Sequence, residues 1–93
     1  MFYLIDVRTT EEFNMGHLDN AIHIDYREIL QEIDNVTDDK EVDIYLYCKS
    51  GVRSAIAAQL LHSRGYYKAQ NIGGYEALKA HIESQSQDRK IVV

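Results

Sequence analysis

Segments with the pattern of strands alternate with segments that have the pattern of helices, and this alternation limits the possible folds more than any other feature. The predicted strands are 2–7, 21–24, 42–47 and 67–72, and the predicted helices are a short one capped by Thr9 or Thr10, then 26–34, 54–64 and 75–84. Residues 90–93 are predicted to form a small edge strand or a frayed end. This order predicts an α/β fold with a mostly parallel central sheet of four to five strands and helices on both faces. The 93 residues are enough for one domain, 1–93, and too few for two.

Cys48, the only cysteine of the chain, directly follows the clearest of these strands and precedes a predicted helix. Parallel sheets bind their ligands beyond the carboxyl ends of the strands, so Cys48 lies where such a fold places its chemistry. A single cysteine excludes a disulfide within the chain and a metal site built from clustered cysteines. Cys48 is therefore either a small buried hydrophobe or a reactive thiol.

The loop that follows Cys48 favours the reactive thiol. It is short and polar, and Gly51 permits a turn that directs backbone N–H groups towards one point. The positive end of a helix that is predicted to begin at about Ser54 faces the same point. Arg53 adds a permanent positive charge, and Lys49 adds a more exposed one. We expect these groups to lower the pKa of the thiol and so to raise the fraction of thiolate, which is the nucleophile.

A cysteine followed by a loop and an arginine is also the layout of cysteine phosphatases and arsenate reductases, and loop length separates the possibilities. Four residues lie between Cys48 and Arg53 in this chain, namely Lys49, Ser50, Gly51 and Val52. Phosphatases of that kind have one residue more, which lets the loop encircle a tetrahedral phosphate. The tighter loop suits a single sulfur atom attached to the cysteine better than it suits a phosphate.

Three parts of the chain are similar to signatures of one known family. Residues 4–8, 12–13, 16–18 and 21–22 resemble its N-terminal signature, 47–53 resemble its active-site loop, and 71–75 resemble its C-terminal glycine signature. On these segments the chain resembles the rhodanese domain, in the small single-domain form of thiosulfate sulfurtransferases, and a rhodanese-like fold is expected. The family often has Pro-Gly where this chain has Asp19-Asn20, but asparagine tolerates the left-handed backbone of such a turn.

The resemblance implies a sulfurtransferase in which Cys48 takes a sulfane sulfur from a thiosulfate-like donor and holds it as a persulfide. A thiophilic acceptor, such as cyanide, a thiol or a protein, then removes the sulfur. Backbone N–H groups of residues 49–53 would stabilise the charge of the persulfide. Lys49 would contact the donor anion, and Arg53 would brace the loop or bind that anion. No cofactor and no metal is implied. A non-catalytic rhodanese-like interaction module is the alternative function.

Three residues outside the loop are candidates for a role in the pocket or its support. Asp6 and Arg8 end the first predicted strand. Arg8 is expected to form a structural ion pair with Glu12 or another acid, whereas for Asp6 a site contact and a structural role stay equally open. Tyr75 follows the paired glycines and is a candidate for the mouth of the pocket.

Charge and hydropathy limit the partners of the chain. A formal net charge of -5 with scattered lysines and arginines argues against nucleic-acid binding, which needs a clustered basic face. No apolar run approaches the length that spans a membrane, so we expect no membrane partner. Separately, we expect the protein to be a monomer. As it stands the chain has no secretory signal, which predicts a cytoplasmic protein, or a periplasmic one if a signal peptide has been removed.

Overall fold

The computed structural model describes residues 1–91, and the side chains of residues 1–85. The elements in chain order are β1 (Phe2–Asp6), α1 (Thr10–Asn14), β2 (Ile22–His23), a 3-10 turn (Tyr26–Glu28), α2 (Ile29–Val36), β3 (Asp43–Cys48), α3 (Val52–Ser63), β4 (Ala69–Gly74) and α4 (Tyr75–Ile91). Thr9 caps α1, and its hydroxyl accepts the backbone N–H of Glu12. The predicted alternation of strands and helices is confirmed.

The four strands form one parallel sheet in the order β2-β1-β3-β4. This arrangement confirms the predicted α/β class. In the register of the sheet, Asp6 lies opposite Tyr47 and Cys48 lies opposite Gly74. The carboxyl ends of β1, β3 and β4 therefore meet at one edge, where a parallel sheet binds its ligands.

One face of the sheet carries the main core. Ile5 and Leu46 lie opposite each other in β1 and β3, and both are fully buried. They belong to one apolar cluster with Ile33 of α2 and Leu61 of α3. Burial of such side chains contributes about 1.5–3 kcal/mol each, so this cluster supplies a large part of the stability that holds the carboxyl edge of the sheet in place.

The opposite face is covered near the same edge by the beginning of α4. Side chains alternate along β3, so Tyr47 points away from the cluster that contains Leu46. The Tyr47 ring is fully buried and stacks on Tyr75, the first residue of α4, at a centroid distance of 6.1 Å. Its hydroxyl accepts the backbone N–H of Leu18 at 3.0 Å. Helices thus cover both faces of the sheet, as predicted.

The C-terminal segment differs from the prediction. Residues 84–89 are helical, and Lys90 and Ile91 lie in α4 rather than in an edge strand. Val92 and Val93, the rest of that predicted strand, lie outside the described residues. The sequence contains no proline and no glycine after Gly74, and the polar residues there are mostly good helix formers. Nothing in this sequence ends the helix where the prediction ended it.

The turn before β2 has the backbone expected for Asp19-Asn20. Asn20 has a φ of 68°, and it is the only residue other than glycine with a positive φ among residues 1–91. Asparagine tolerates this conformation because its short polar side chain is compatible with left-handed backbone.

Within residues 1–91, no helix has both the length and the hydrophobicity that crossing a membrane requires.

Candidate active site at the carboxyl end of the central strand

Cys48 is the last residue of β3, and only 1% of its surface is exposed. α3 begins at Val52, two residues before the predicted start, because Gly51 occupies the capping position with a φ of 93°. A residue with a side chain adopts such a φ only at a cost, so the glycine allows the chain to turn directly from the loop into the helix. Val52 and Arg53 consequently lie in the first turn of α3 rather than in the loop, together with Ser54.

Hydrogen-bond donors surround the sulfur of Cys48. The backbone N–H of Gly51 donates to Sγ at 3.0 Å, and the hydroxyl of Ser54 lies 3.4 Å from Sγ. Burial is the largest single influence and raises the pKa of the thiol, but hydrogen bonds from the Ser54 hydroxyl and from the N–H groups of Ser54, Ser50 and Gly51 together lower it below its ordinary value. The arrangement favours a thiolate, which is the reactive form of cysteine.

Arg53 is held by Glu12 of α1. Its Nη1 and Nη2 donate to the two carboxylate oxygens at 2.7 and 3.0 Å. The hydrogen bond to Arg53 is the main cause that lowers the pKa of Glu12, to about 2. This bidentate pair connects the first turn of α3 to α1. Glu12, the acid named first as an expected partner of Arg8, pairs with Arg53 instead.

The Arg53–Glu12 pair predicts a loss of stability in acid. The pKa of Glu12 is about 4.5 when unperturbed and about 2 in the folded protein. A lowered folded-state pKa contributes stability above the unfolded-state pKa, and this contribution disappears as the pH falls from about 4.5 towards 2. We expect Glu12→Gln to lower the free energy of unfolding at pH 7, measured by urea denaturation. The difference in this free energy between the wild type and the variant should become smaller as the pH falls from about 4.5 towards 2. A difference that stays constant with pH would contradict the ion pair.

Arg8 pairs with Asp6, two positions earlier in the chain. Its Nε and Nη2 donate to the carboxylate at 3.0 and 2.7 Å, and Nη2 also donates to the carbonyl oxygen of Gly16 at 2.7 Å. Both side chains are almost completely buried. The guanidinium carbon lies 4.4 Å from the centre of the Tyr75 ring. The pair therefore fixes the segment after β1, and the acid that the sequence left open for Arg8 is Asp6.

A pocket of about 280 Å³ lies beside the loop. It is lined by Arg8, Glu12, Met15, Gly16, Lys49, Tyr75 and Glu76. Lys49 is exposed and Tyr75 is half-buried at this pocket. The structure thus brings Arg8, Lys49 and Tyr75 together from three separate segments, whereas Asp6 reaches the pocket only through Arg8. Ser50 and Val52 are not among the residues that line it, and Val52 is exposed on α3.

Three residues that the sequence did not assign to the site support the loop from β4 and α3. A Cβ atom on Gly74 would overlap the carbonyl oxygen of Lys49, so only glycine lets β4 approach the loop this closely. The amide of Asn71 donates to the carbonyl oxygen of Gly51 at 2.9 Å. Ser54 is fully buried behind Cys48. The paired glycines were a visible signal in the sequence, whereas nothing local marked Ser54 or Asn71.

Within the part of the chain that the structure describes, no group of three or more histidine, cysteine, aspartate or glutamate residues is arranged to hold a metal ion.

The site consists of a cysteine at the carboxyl end of a central parallel strand, a tight loop and a helix. Comparison with known proteins identifies the class of protein that has this arrangement. The rhodanese-like domain family matches residues 1–81, so the chain belongs to this family. Its relatives include the thiosulfate sulfurtransferase PspE of Escherichia coli, which is 34% identical over 70 residues that make up 75% of this chain and 67% of PspE. The thiosulfate sulfurtransferase GlpE of Coxiella burnetii is 35% identical over 79 residues, which make up 84% of this chain and 72% of GlpE.

Comparison of structures leads to the same family. A solved structure described as rhodanese with anions from E. coli superimposes with a TM-score of 0.79 and 32% sequence identity. The match covers 82% of this chain and 89% of that one. The rhodanese-like fold expected from the resemblance is therefore confirmed.

Proposed function

We propose that this protein transfers sulfane sulfur from a thiosulfate-like donor to a thiophilic acceptor through a persulfide on Cys48. Membership of the rhodanese-like family supports sulfurtransfer as the general activity, and the names of PspE and GlpE support thiosulfate as the donor. The observation that carries the proposal is the position of the Cys48 sulfur, which lies at a strand–helix junction within reach of the Gly51 N–H and the Ser54 hydroxyl.

The first step is a displacement at sulfur. The Cys48 thiolate attacks the outer sulfur of thiosulfate, a sulfur–sulfur bond forms to Sγ, and the bond between the two thiosulfate sulfurs breaks. Sulfite leaves with the bonding electron pair, and the single negative charge of the former thiolate now lies on the outer sulfur of the persulfide. We propose that backbone N–H groups of residues 49–53 stabilise that charge as such groups do in an oxyanion hole, while in the resting structure the Gly51 N–H donates to Sγ itself.

The second step returns the enzyme to its resting form. A nucleophilic acceptor such as cyanide attacks the outer sulfur and leaves as thiocyanate, while Cys48 recovers its electron pair as a thiolate. Both half-reactions conserve charge and need no external oxidant or reductant. The covalent intermediate divides one difficult transfer into two easier displacements.

Lys49 is the residue we propose to attract the donor anion. It follows Cys48 directly, lines the adjacent pocket and makes no ion pair with the side chains that the structure describes. The cations of Arg8 and Arg53 are already neutralised by Asp6 and Glu12. A free positive charge beside the nucleophile raises the local concentration of a dianion, and salt weakens this effect.

Steady-state thiosulfate–cyanide kinetics test this assignment. We expect the wild type to form thiocyanate and Lys49→Gln to raise the KM for thiosulfate by roughly 3- to 10-fold at low ionic strength, with a smaller effect on kcat. Lys68→Gln is the matched control. Lys68 is also exposed, but it precedes the first residue of β4 and so lies at the amino ends of the strands, away from the Cys48 loop. An equal KM in the two variants would contradict the role of Lys49. Hydrolysis of an aryl phosphate without thiocyanate formation would contradict the proposed function.

A further inference from the structure

The side-chain amide of Asn71 has an orientation that is fixed by its backbone partners. Its Nδ2 donates to the carbonyl oxygen of Gly51 at 2.9 Å, and its Oδ1 accepts the N–H of Gly73 at 3.0 Å. An extra residue in β4 shifts the register, so that Asn71 lies opposite Leu46 while Gly73 lies opposite Tyr47. Because the reversed amide would lose both contacts, the atom that faces Ser54 is an oxygen, which can only accept a hydrogen bond.

Ser54 therefore has one proton and two acceptors. Its Oγ lies 2.7 Å from Oδ1 of Asn71 and 3.4 Å from Sγ of Cys48. A hydroxyl donates only one hydrogen bond at a time, so a proton directed at Asn71 is withheld from the sulfur. Ser54 is 0% exposed, so its hydroxyl depends on acceptors that the protein supplies, and Asn71 and Cys48 both lie within hydrogen-bond distance. Asn71 itself is exposed at the surface. A buried hydroxyl that lost both acceptors would be destabilising.

We propose that Asn71 and Ser54 form a hydrogen-bond switch in which the Ser54 proton turns to Cys48 when Sγ is a thiolate and to Asn71 when Sγ is not charged. This inference rests on the proposed function for its role in the reaction cycle, and it makes Asn71 a positioning residue that acts through Ser54.

The switch matches the movement of charge during sulfur transfer. In the resting thiolate the negative charge is on Sγ, and the Ser54 hydroxyl stabilises it. After the transfer the charge is on the outer sulfur, and Sγ is a poor acceptor in a neutral disulfide-like bond. The Ser54 proton then has an acceptor 2.7 Å away in Asn71, so the buried hydroxyl stays satisfied in the persulfide state. Without Asn71 the hydroxyl would stabilise only the thiolate, which would make the resting enzyme less reactive.

Charged and titratable groups surround the site from every element that packs there. They are Asp6 at the end of β1, Arg8 after it, Glu12 on α1, His23 on β2 beside Arg8, Asp25 before the 3-10 turn, Lys49 in the loop, Arg53 on α3 and Glu76 on α4. Substitutions of Asn71 and Ser54 leave all of these groups unchanged. Their field on Cys48 is therefore common to every variant in the test, and it cancels when the variants are compared.

A double-mutant cycle on the pKa of Cys48 tests the switch. The rate of alkylation by iodoacetamide, measured against pH without any sulfur donor, reports the thiolate fraction in the wild type, Ser54→Ala, Asn71→Ala and the double variant. We expect Ser54→Ala to raise the pKa by about one unit, which is a tenfold change in the ionisation constant. Asn71→Ala should lower the pKa of Cys48 by about one unit more when Ser54 is present than in the Ser54→Ala background. The reason is that only the protein with Ser54 has a hydroxyl proton that can turn from Asn71 to the thiolate.

A purely structural role of Asn71 makes a different prediction. Loss of its contact with Gly51 would shift the pKa of Cys48 equally in both backgrounds, and such additivity would overturn the proposal. Should Asn71→Ala fail to fold, Asn71→Asp offers a second cycle with the opposite sign, since a carboxylate is a stronger acceptor for the Ser54 proton. Equal shifts there would also overturn it. Alkylation needs no thiosulfate, so the two proposals can fail separately. If the effects of Ser54 and Asn71 on the pKa of Cys48 are non-additive but thiosulfate forms no persulfide, the proposed function is contradicted and the switch is not.

Discussion

Cys48→Ser is expected to reduce thiocyanate formation from thiosulfate and cyanide by at least about 1,000-fold, to the level of the reaction without enzyme. A serine hydroxyl in the same place is not ionised near neutral pH and does not accept a sulfur atom, so the covalent intermediate cannot form. The substitution changes one atom at a fully buried position and keeps a group that can accept the Gly51 N–H. Activity is measured by the appearance of thiocyanate over a range of thiosulfate concentrations.

The control for this substitution is a test of whether the inactive variants are still folded. Cys48→Ser and Cys48→Ala should both unfold cooperatively in urea, with midpoints that need not equal that of the wild type. Activity that is lost in two folded variants is lost because the nucleophile is missing. If Cys48→Ser formed thiocyanate at a rate within tenfold of the wild type, a sulfur carrier other than Cys48 would be required, and our assignment would be wrong.

Gly74→Ala is expected to damage both the stability of the protein and the reactivity of Cys48. The added Cβ would overlap the carbonyl oxygen of Lys49 and would lie 3.2 Å from its carbonyl carbon. Both atoms belong to the backbone, so the loop or β4 must move. Overpacking of this kind costs about 1–3 kcal/mol. Because Lys49 follows Cys48 directly, the movement would also displace the N–H groups that surround Sγ.

Gly65→Ala is the matched control for that variant. Gly65 has a φ of 100°, so alanine is strained there as well, but the nearest atoms to its added Cβ belong to the flexible side chain of Lys40. Gly65 follows the C-terminal end of α3, away from the loop. We expect Gly65→Ala to lower the free energy of unfolding without changing the rate of Cys48 alkylation, whereas Gly74→Ala lowers both. Unchanged stability and alkylation in Gly74→Ala would refute the close approach of β4 to the loop.

The order of strands and helices could be predicted from the sequence because each depends on local patterns. The apolar segment before Cys48 and the helical spacing after it are visible without any knowledge of the fold. The start of α3 was predicted two residues late, because the sequence does not show whether Gly51 interrupts the loop or caps the helix. For residues 90–93 the sequence predicts a small edge strand or a frayed end, yet α4 continues through Lys90 and Ile91 because no glycine or proline follows Gly74 to end it.

The partners of the charged residues were harder to predict. Arg8 pairs with Asp6 two positions away, which the extended backbone after β1 allows, rather than with Glu12. Glu12 instead pairs with Arg53, 41 residues later, and nothing local to either residue indicates this contact. Asn71 reaches the Gly51 carbonyl from β4, next to the point where the register between β3 and β4 shifts. Contacts of this kind follow from the arrangement of the elements, so they appear only once the fold is known.

The mass of the purified protein before and after incubation with thiosulfate tests the central claim most directly. The account predicts one added sulfur, about 32 Da, that maps to Cys48, is absent in Cys48→Ser and is removed by cyanide. A wild-type protein that remains folded, alkylates readily at Cys48 and yet gains no sulfur from thiosulfate would contradict the proposal that this cysteine carries sulfur from such a donor.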